Sequence, residues 1–160
     1  MKKLFLLGLL VLPFCAASSE NSIPPGFEHW TPASIAALET QLSAKAASDP
    51  HHFAAQQLPV YQNEYYLYAH RESDGTPELH ETEADIFVVQ SGTATLVVGG
   101  TLLNGEVSAP HEKRGGTIDG GTRQSLSVGD IVRIPAKVPH QVLIATGQKF
   151  SYFVVKVKGY

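Results

Sequence analysis

Two short stretches hold the residue types that can do chemistry. Residues 78–85 read ELHETEAD, four carboxylates and a histidine within eight positions, and residues 129–140 read GDIVRIPAKVPH, a proline-bounded turn ending on a histidine. On an extended strand alternate side chains share a face, so Glu78 and His80 point the same way. Asp85 opens the next strand with Phe87 and Val89 on its own side, and His140 opens another. Together Glu78, His80, Asp85 and His140 offer oxygen and imidazole donors, a set that suits a divalent cation of intermediate hardness. Burying two carboxylates with two imidazoles and no cation is expensive, because unpaired anions are poorly solvated inside a protein. Spacing alone leaves two readings open: metal ligands on strand ends, or a solvated acidic loop and two satisfied histidines.

These residues need a scaffold of short strands. From Tyr61 onward β-type runs cover residues 64–70, 78–80, 85–90, 93–98, 123–126, 131–134, 141–145 and 151–157, separated by turns such as Asp74-Gly75, Ser91-Gly92 and Gly129-Asp130. Strands without intervening helices predict an antiparallel sandwich or barrel. The polar, glycine-rich stretch 104–122 is expected to be the one long loop. Ahead of the barrel, Thr31 is placed to cap a helix that Pro32 begins, with Ile35, Leu38 and Leu42 at helical spacing and Asp49-Pro50 as its stop.

The start of the chain, MKKLFLLGLLVLPFCAASSE, has a basic pair, an apolar run and a small-residue cleavage site, the layout of a secretory signal. The apolar run is about half of the roughly 20 residues a spanning helix needs. The expected domains are a signal peptide at 1–17, an extension with the short helix at 18–58, and the barrel at 59–160. The product would be exported, periplasmic or secreted, with no membrane association after cleavage. Cleavage would remove the single cysteine, excluding disulfides, thiolate metal sites and a cysteine nucleophile. It would also remove Lys2 and Lys3, taking the net charge from −3 to −5. The remaining basic residues are scattered, which argues against nucleic acid as a partner.

The spacing resembles that of the cupins, the small double-stranded β-helix (jelly-roll) barrels, over residues 60–157. Against the first cupin motif Glu78 stands at the first histidine, His80 at the second, Asp85 at the glutamate and Gly92 at the closing glycine. Against the second motif Gly129, Pro135 and His140 match in order, while Lys137 replaces an inner glycine and Ile144 an asparagine. The resemblance implies a mainly β barrel with one short N-terminal helix. It also implies one divalent transition metal (Fe, Mn, Zn, Cu or Ni) held by Glu78, His80, Asp85 and His140. The departure from three histidines and a glutamate falls at two of those four positions. The implied function is metal-dependent chemistry on a small organic molecule, of dioxygenase, isomerase or lyase type. The alternative is a non-catalytic module that binds a small ligand or a metal ion.

Four further residues are expected to contact the small molecule. Tyr66 and His70 share one face of the run before the first motif and line the barrel if that face turns inward. Phe87 lies beneath the metal, and with Val89, Val142 and Phe153 it is expected to fill the barrel. Lys137, at the mouth before His140, would attract an anion. Cupin barrels also resemble one another in pairing through an edge strand, so a homodimer is expected, with residues 61–70 as the contact.

Overall fold

In a computed structural model residues 22–160 are described. The expected signal peptide, residues 1–17, lies outside them. Among the described residues no helix is long and apolar enough to cross a membrane. The chain forms helix α1 (Pro32–Ser48) and then β1 (Phe53–Val60), β2 (Glu64–Arg71), β3 (Glu78–His80), β4 (Glu83–Gly92) and β5 (Ala94–Val98). There follow β6 (Thr101–Leu103), β7 (Glu106–Ala109), β8 (Glu112–Arg114), β9 (Thr117–Asp119), β10 (Thr122–Leu126), β11 (Ile131–Ile134), β12 (His140–Leu143) and β13 (Phe150–Lys158).

Every strand pairs antiparallel. One sheet has the order β1-β2-β13-β4-β11, the other β10-β5-β12-β3-β8-β7, and β6 pairs with β9 alone. The non-sequential orders are those of a jelly roll, and the core lies between the two large sheets, built from Phe87, Val89, Leu96, Ile134, Val142 and Val154 among others. The fold class is the expected one: mainly β, a jelly-roll barrel with one helix.

The helix forms where its capping signals stand. Thr31 accepts a hydrogen bond from the Ser34 amide at 3.1 Å, Pro32 begins the first turn, and Asp49 ends the last. Its buried residues are Leu42 and Ala46, and it packs on β1 and β2, outside the barrel. This covers the outward face of β2, where Tyr68 is fully buried.

Three features differ from the sequence reading. The sheet begins at Phe53, ahead of the boundary expected at 59, because FAAQQLPV pairs with β2 despite its mixed pattern. The stretch 104–122 is not one loop: it contains the hairpin β7–β8, and β8 adds to β3 with Glu78 opposite Arg114 and His80 opposite Glu112. Residues 61–70 do not offer a free sheet edge, since β2 lies between β1 and β13.

Gly92 shows why one motif glycine is needed. It closes β4 with φ +74°, and a Cβ built on it would lie 1.8 Å from the Lys149 carbonyl oxygen. That oxygen belongs to the approach to β13, and Phe150 pairs with Gly92. Gly92→Ala should therefore strain the turn and push β13 away. We expect a loss on the order of 2 kcal/mol or more, measured as a lower midpoint of urea unfolding, with Gly147→Ala, whose Cβ would meet open space, losing less.

Candidate metal centre

β3 carries the middle of the site. Glu78 and His80 both turn inward, as the alternation predicts, and are 8% and 4% exposed. On one side β12 brings His140 opposite Glu78; on the other β8 brings Arg114 and Glu112. The facing sheet supplies Asp85 from β4 and, directly across from it, Lys156 from β13. Hydrogen bonds from the Gly75 amide to the Val142 carbonyl at 2.8 Å and from Gln141 Nε2 to the Gly75 carbonyl at 2.7 Å bind the segment before β3 to β12. The two sequence motifs, far apart in the chain, therefore meet at one mouth of the barrel.

All four expected donors reach this place. His140 Nε2 lies 3.4 Å from Glu78 Oε1 and 3.4 Å from Asp85 Oδ2. His80 Nε2 lies 3.7 Å from Glu78 Oε2 and 3.6 Å from Asp85 Oδ2. One donor atom each from Glu78, His80 and His140 falls within a 4.8 Å span.

The imidazoles are oriented for ligation. His140 Nδ1 donates to the Val138 carbonyl at 3.1 Å, which turns Nε2, a buried atom, inward toward Glu78 and Asp85, where a metal ion would take the place of its proton. His80 Nδ1 faces Glu112 Oε2 at 3.3 Å, again turning Nε2 inward. A histidine whose other nitrogen is fixed by a carbonyl or carboxylate is the usual arrangement around a bound metal. Glu78, His80 and His140 fit a divalent transition ion. Asp85 is present but engaged, since Lys156 Nζ is 2.7 and 2.8 Å from its two oxygens.

The sequence reading missed that lysine and two other groups. Lys156 is 6% exposed, and its ammonium is 2.6 Å from His80 Nε2. Arg114 meets Glu78 Oε2 at 2.7 Å and Glu112 Oε1 at 2.6 Å. The carboxylates thus already have cations beside them, which weakens the sequence-level case that only a metal could offset their burial. The signal for Lys156 was present: it shares an alternating face with Tyr152 and Val154. Phe153, Val155 and Val157 on the opposite face are equally apolar, so the phase was ambiguous.

The same ambiguity misplaced two of the four ligand-contact residues. On β2 the inward face is Leu67, Ala69 and Arg71, not the face of Tyr66 and His70. Tyr66 packs outside the barrel with Trp30 and Phe153, ring centroids 5.0 and 5.9 Å away, so Phe153 is not barrel filling either. His70 Nδ1 and Nε2 lie 2.8 Å from Ser151 Oγ and 3.1 Å from Glu72 Oε1, beneath α1. Lys137 occupies a turn at φ +65° beside a separate surface hollow, and it meets the site only through its amide, which donates to the His80 carbonyl at 2.7 Å. Phe87 is where it was expected, with its ring 6.3 Å from that of His140.

The centre opens on a cavity of about 280 Å³ lined by apolar residues including Leu67, Phe87 and Val154, and by Glu78, Asp85, Lys156, Arg71 and Arg114. Arg71 is 8% exposed, stacks over Phe53 with its guanidinium 4.1 Å from the ring centre, and donates from Nε to the Tyr152 hydroxyl at 3.0 Å. Among the described residues no carboxylate pairs with Arg71, whereas Arg114 is paired twice.

Neighbouring charges decide the ionisation of the cluster. Burial alone would raise Glu78 and Asp85, but His140 and the nearby cations hold both below the usual carboxylate range. Burial and then the Lys156 ammonium push His80 down. For His140 burial acts downward, but Asp85 and Glu78 outweigh it and raise the imidazole from 6.5 to about 9. A histidine raised on folding adds stability that is complete below pH 6.5 and lost as pH rises through 9. With chelator present, wild type should lose on the order of 3 kcal/mol more than His140→Gln over that window. Urea unfolding at both ends of the window measures it, and parallel losses in the two proteins would refute the assignment.

No family model matches the chain, and no curated protein matches it. Solved structures do. A Cupin 2 conserved barrel domain protein from Salinispora arenicola is 20% identical over 68% of this chain and 77% of that one, with a TM-score of 0.47. A cupin protein from Bacteroides fragilis is 16% identical over 66% and 76%, with a TM-score of 0.47. A cupin-2 domain from Rhodospirillum rubrum is 15% identical over 66% and 59%, with a TM-score of 0.49. At these values the chain's own sheets and strand order carry the description of the fold.

Proposed function

We propose that this chain is an exported, metal-dependent enzyme of the cupin type that takes a small organic acid into its barrel. The observation that carries this reading is the convergence of Glu78, His80 and His140 beside the cavity, whose wall Glu78 forms in part, with both Nδ1 atoms turned away and both Nε2 atoms turned in. These three residues would hold a divalent transition ion, which supplies Lewis acidity or an oxygen-binding centre when bound.

The rest follows from the protein's own groups. Leu67, Phe87 and Val154 exclude water from the apolar body of the ligand. Arg71 supports the acid: a buried guanidinium without a carboxylate is costly, and a ligand carboxylate in the cavity would meet its free donors. Dioxygenation, isomerisation and lysis all remain consistent with such a site. A second reading, a barrel that binds its ligand without chemistry, is favoured by one observation, the engagement of His80 and Asp85 by Lys156. The expected homodimer is retained as a proposal, now through the edge strand β1 rather than β2.

Calorimetric titration with Zn²⁺ should give one site per chain, and His80→Ala or His140→Ala should weaken it by at least about 100-fold, the upper end of the effect of losing an outer partner. Unchanged binding in both variants would place the centre elsewhere. In a thermal-shift panel of small mono- and dicarboxylic acids, Arg71→Ala should lower the affinity of any acid that stabilises wild type by about tenfold to a hundredfold. Turnover of such an acid by the metal-loaded protein separates enzyme from binder.

A further inference from the structure

Lys156 touches His80, one of the three residues that would hold a metal, and Asp85 beside it, yet it is a cation. Its ammonium has three N–H donors and no acceptor, so in the 2.6 Å contact with His80 the ring nitrogen must accept. His80 has one lone pair to give, because its other nitrogen faces Glu112. That lone pair serves either a Lys156 N–H or a metal ion. The two oxygens of Asp85 are claimed by the same ammonium at 2.7 and 2.8 Å. One side chain therefore holds two of the four donors that the sequence assigned to a metal.

The placement is built into the fold. Lys156 and Asp85 are opposite residues of β13 and β4, and Lys156 lines the cavity together with Tyr152 and Val154 from the same face of β13. The lysine stem is flexible, so the ammonium can swing into that cavity. Arg114, by contrast, is tied to Glu78 and Glu112 on the neighbouring sheet and has no contact with His80 or Asp85 among those described.

We propose that Lys156 is the resident cation of this centre, and that a divalent metal ion enters only by displacing its ammonium from His80. The inference rests on the metal-binding reading above. Wild type then holds metal more weakly than its donor set allows, and with Asp85 still tied to the displaced lysine. Removing the ammonium frees His80 and returns Asp85 to the metal.

The experiment titrates Co²⁺ into metal-free wild type and Lys156→Met at one fixed pH, following heat and the visible ligand-field spectrum. Lys156→Met should bind about tenfold to a hundredfold more tightly, the range expected when a charge-assisted hydrogen bond no longer competes. Its spectrum should differ from wild type, and adding Asp85→Asn to it should change the spectrum again. Equal affinities and equal spectra would overturn the displacement and leave the metal centre standing; no uptake by either protein would remove both. A second measurement needs no variant and guards against misfolding: reductive methylation of Lys156, read by peptide mass spectrometry, should be slow in metal-free protein and quicken when calorimetry shows Zn²⁺ bound. An unchanged rate with Zn²⁺ bound would overturn the proposal.

Discussion

Glu78 and Asp85 are carboxylates taken out of water between two sheets, and the arrangement of the barrel mouth follows from the need to give them cations. Burying an anion costs several kcal/mol even after the surroundings relax, and only well-placed, hydrogen-bonded cations offset that penalty. The structure meets the need from three strands at once: His140 on β12 reaches both acids, Arg114 on β8 reaches Glu78, and Lys156 on β13 reaches Asp85. Each partner lies across a strand ladder from the acid it serves or on the sheet facing it. The register of β3 against β12 and β8, and of β13 against β4, is thus an electrostatic requirement as well as a matter of apolar packing.

Much of this was legible in the sequence, for stated reasons. Glu78 and His80 sit two apart, and any strand through them shares a face. Gly92, Gly129, Pro135 and His140 fall at spacings that only the barrel's turns explain. What could not be read was the phase of strands with apolar residues on both faces. On β2 the tyrosines looked like a cavity lining, but the outward face is itself buried under α1 and the Trp30 cluster, so amphipathicity gave no sign of direction. The same blindness hid Lys156 on β13 and placed Phe153 inside. Glu112 and Arg114 were lost for another reason: a polar, glycine-rich segment resembles a loop, and β8 becomes a strand through its ladders with β3 and β7.

The outer covering and the inner site are connected through single strands. β2 presents His70 and Tyr68 to the helix side while presenting Ala69 and Arg71 to the cavity. β13 likewise gives Ser151 to His70 on one face and Tyr152 to Arg71 on the other. The helix therefore packs behind strands whose inward residues shape the ligand space, although no residue of α1 lines that cavity.

The position of β13 has a kinetic consequence. It lies at the centre of its sheet, between β2 and β4, and it is the last strand in chain order. Until Phe150–Lys158 arrives, β2 and β4 each expose an unfilled ladder, and the mouth lacks both Lys156 and the hydroxyl that steadies Arg71. Assembly is consequently governed by contacts of long sequence separation, a topology that folds slowly and leaves sticky edges open meanwhile.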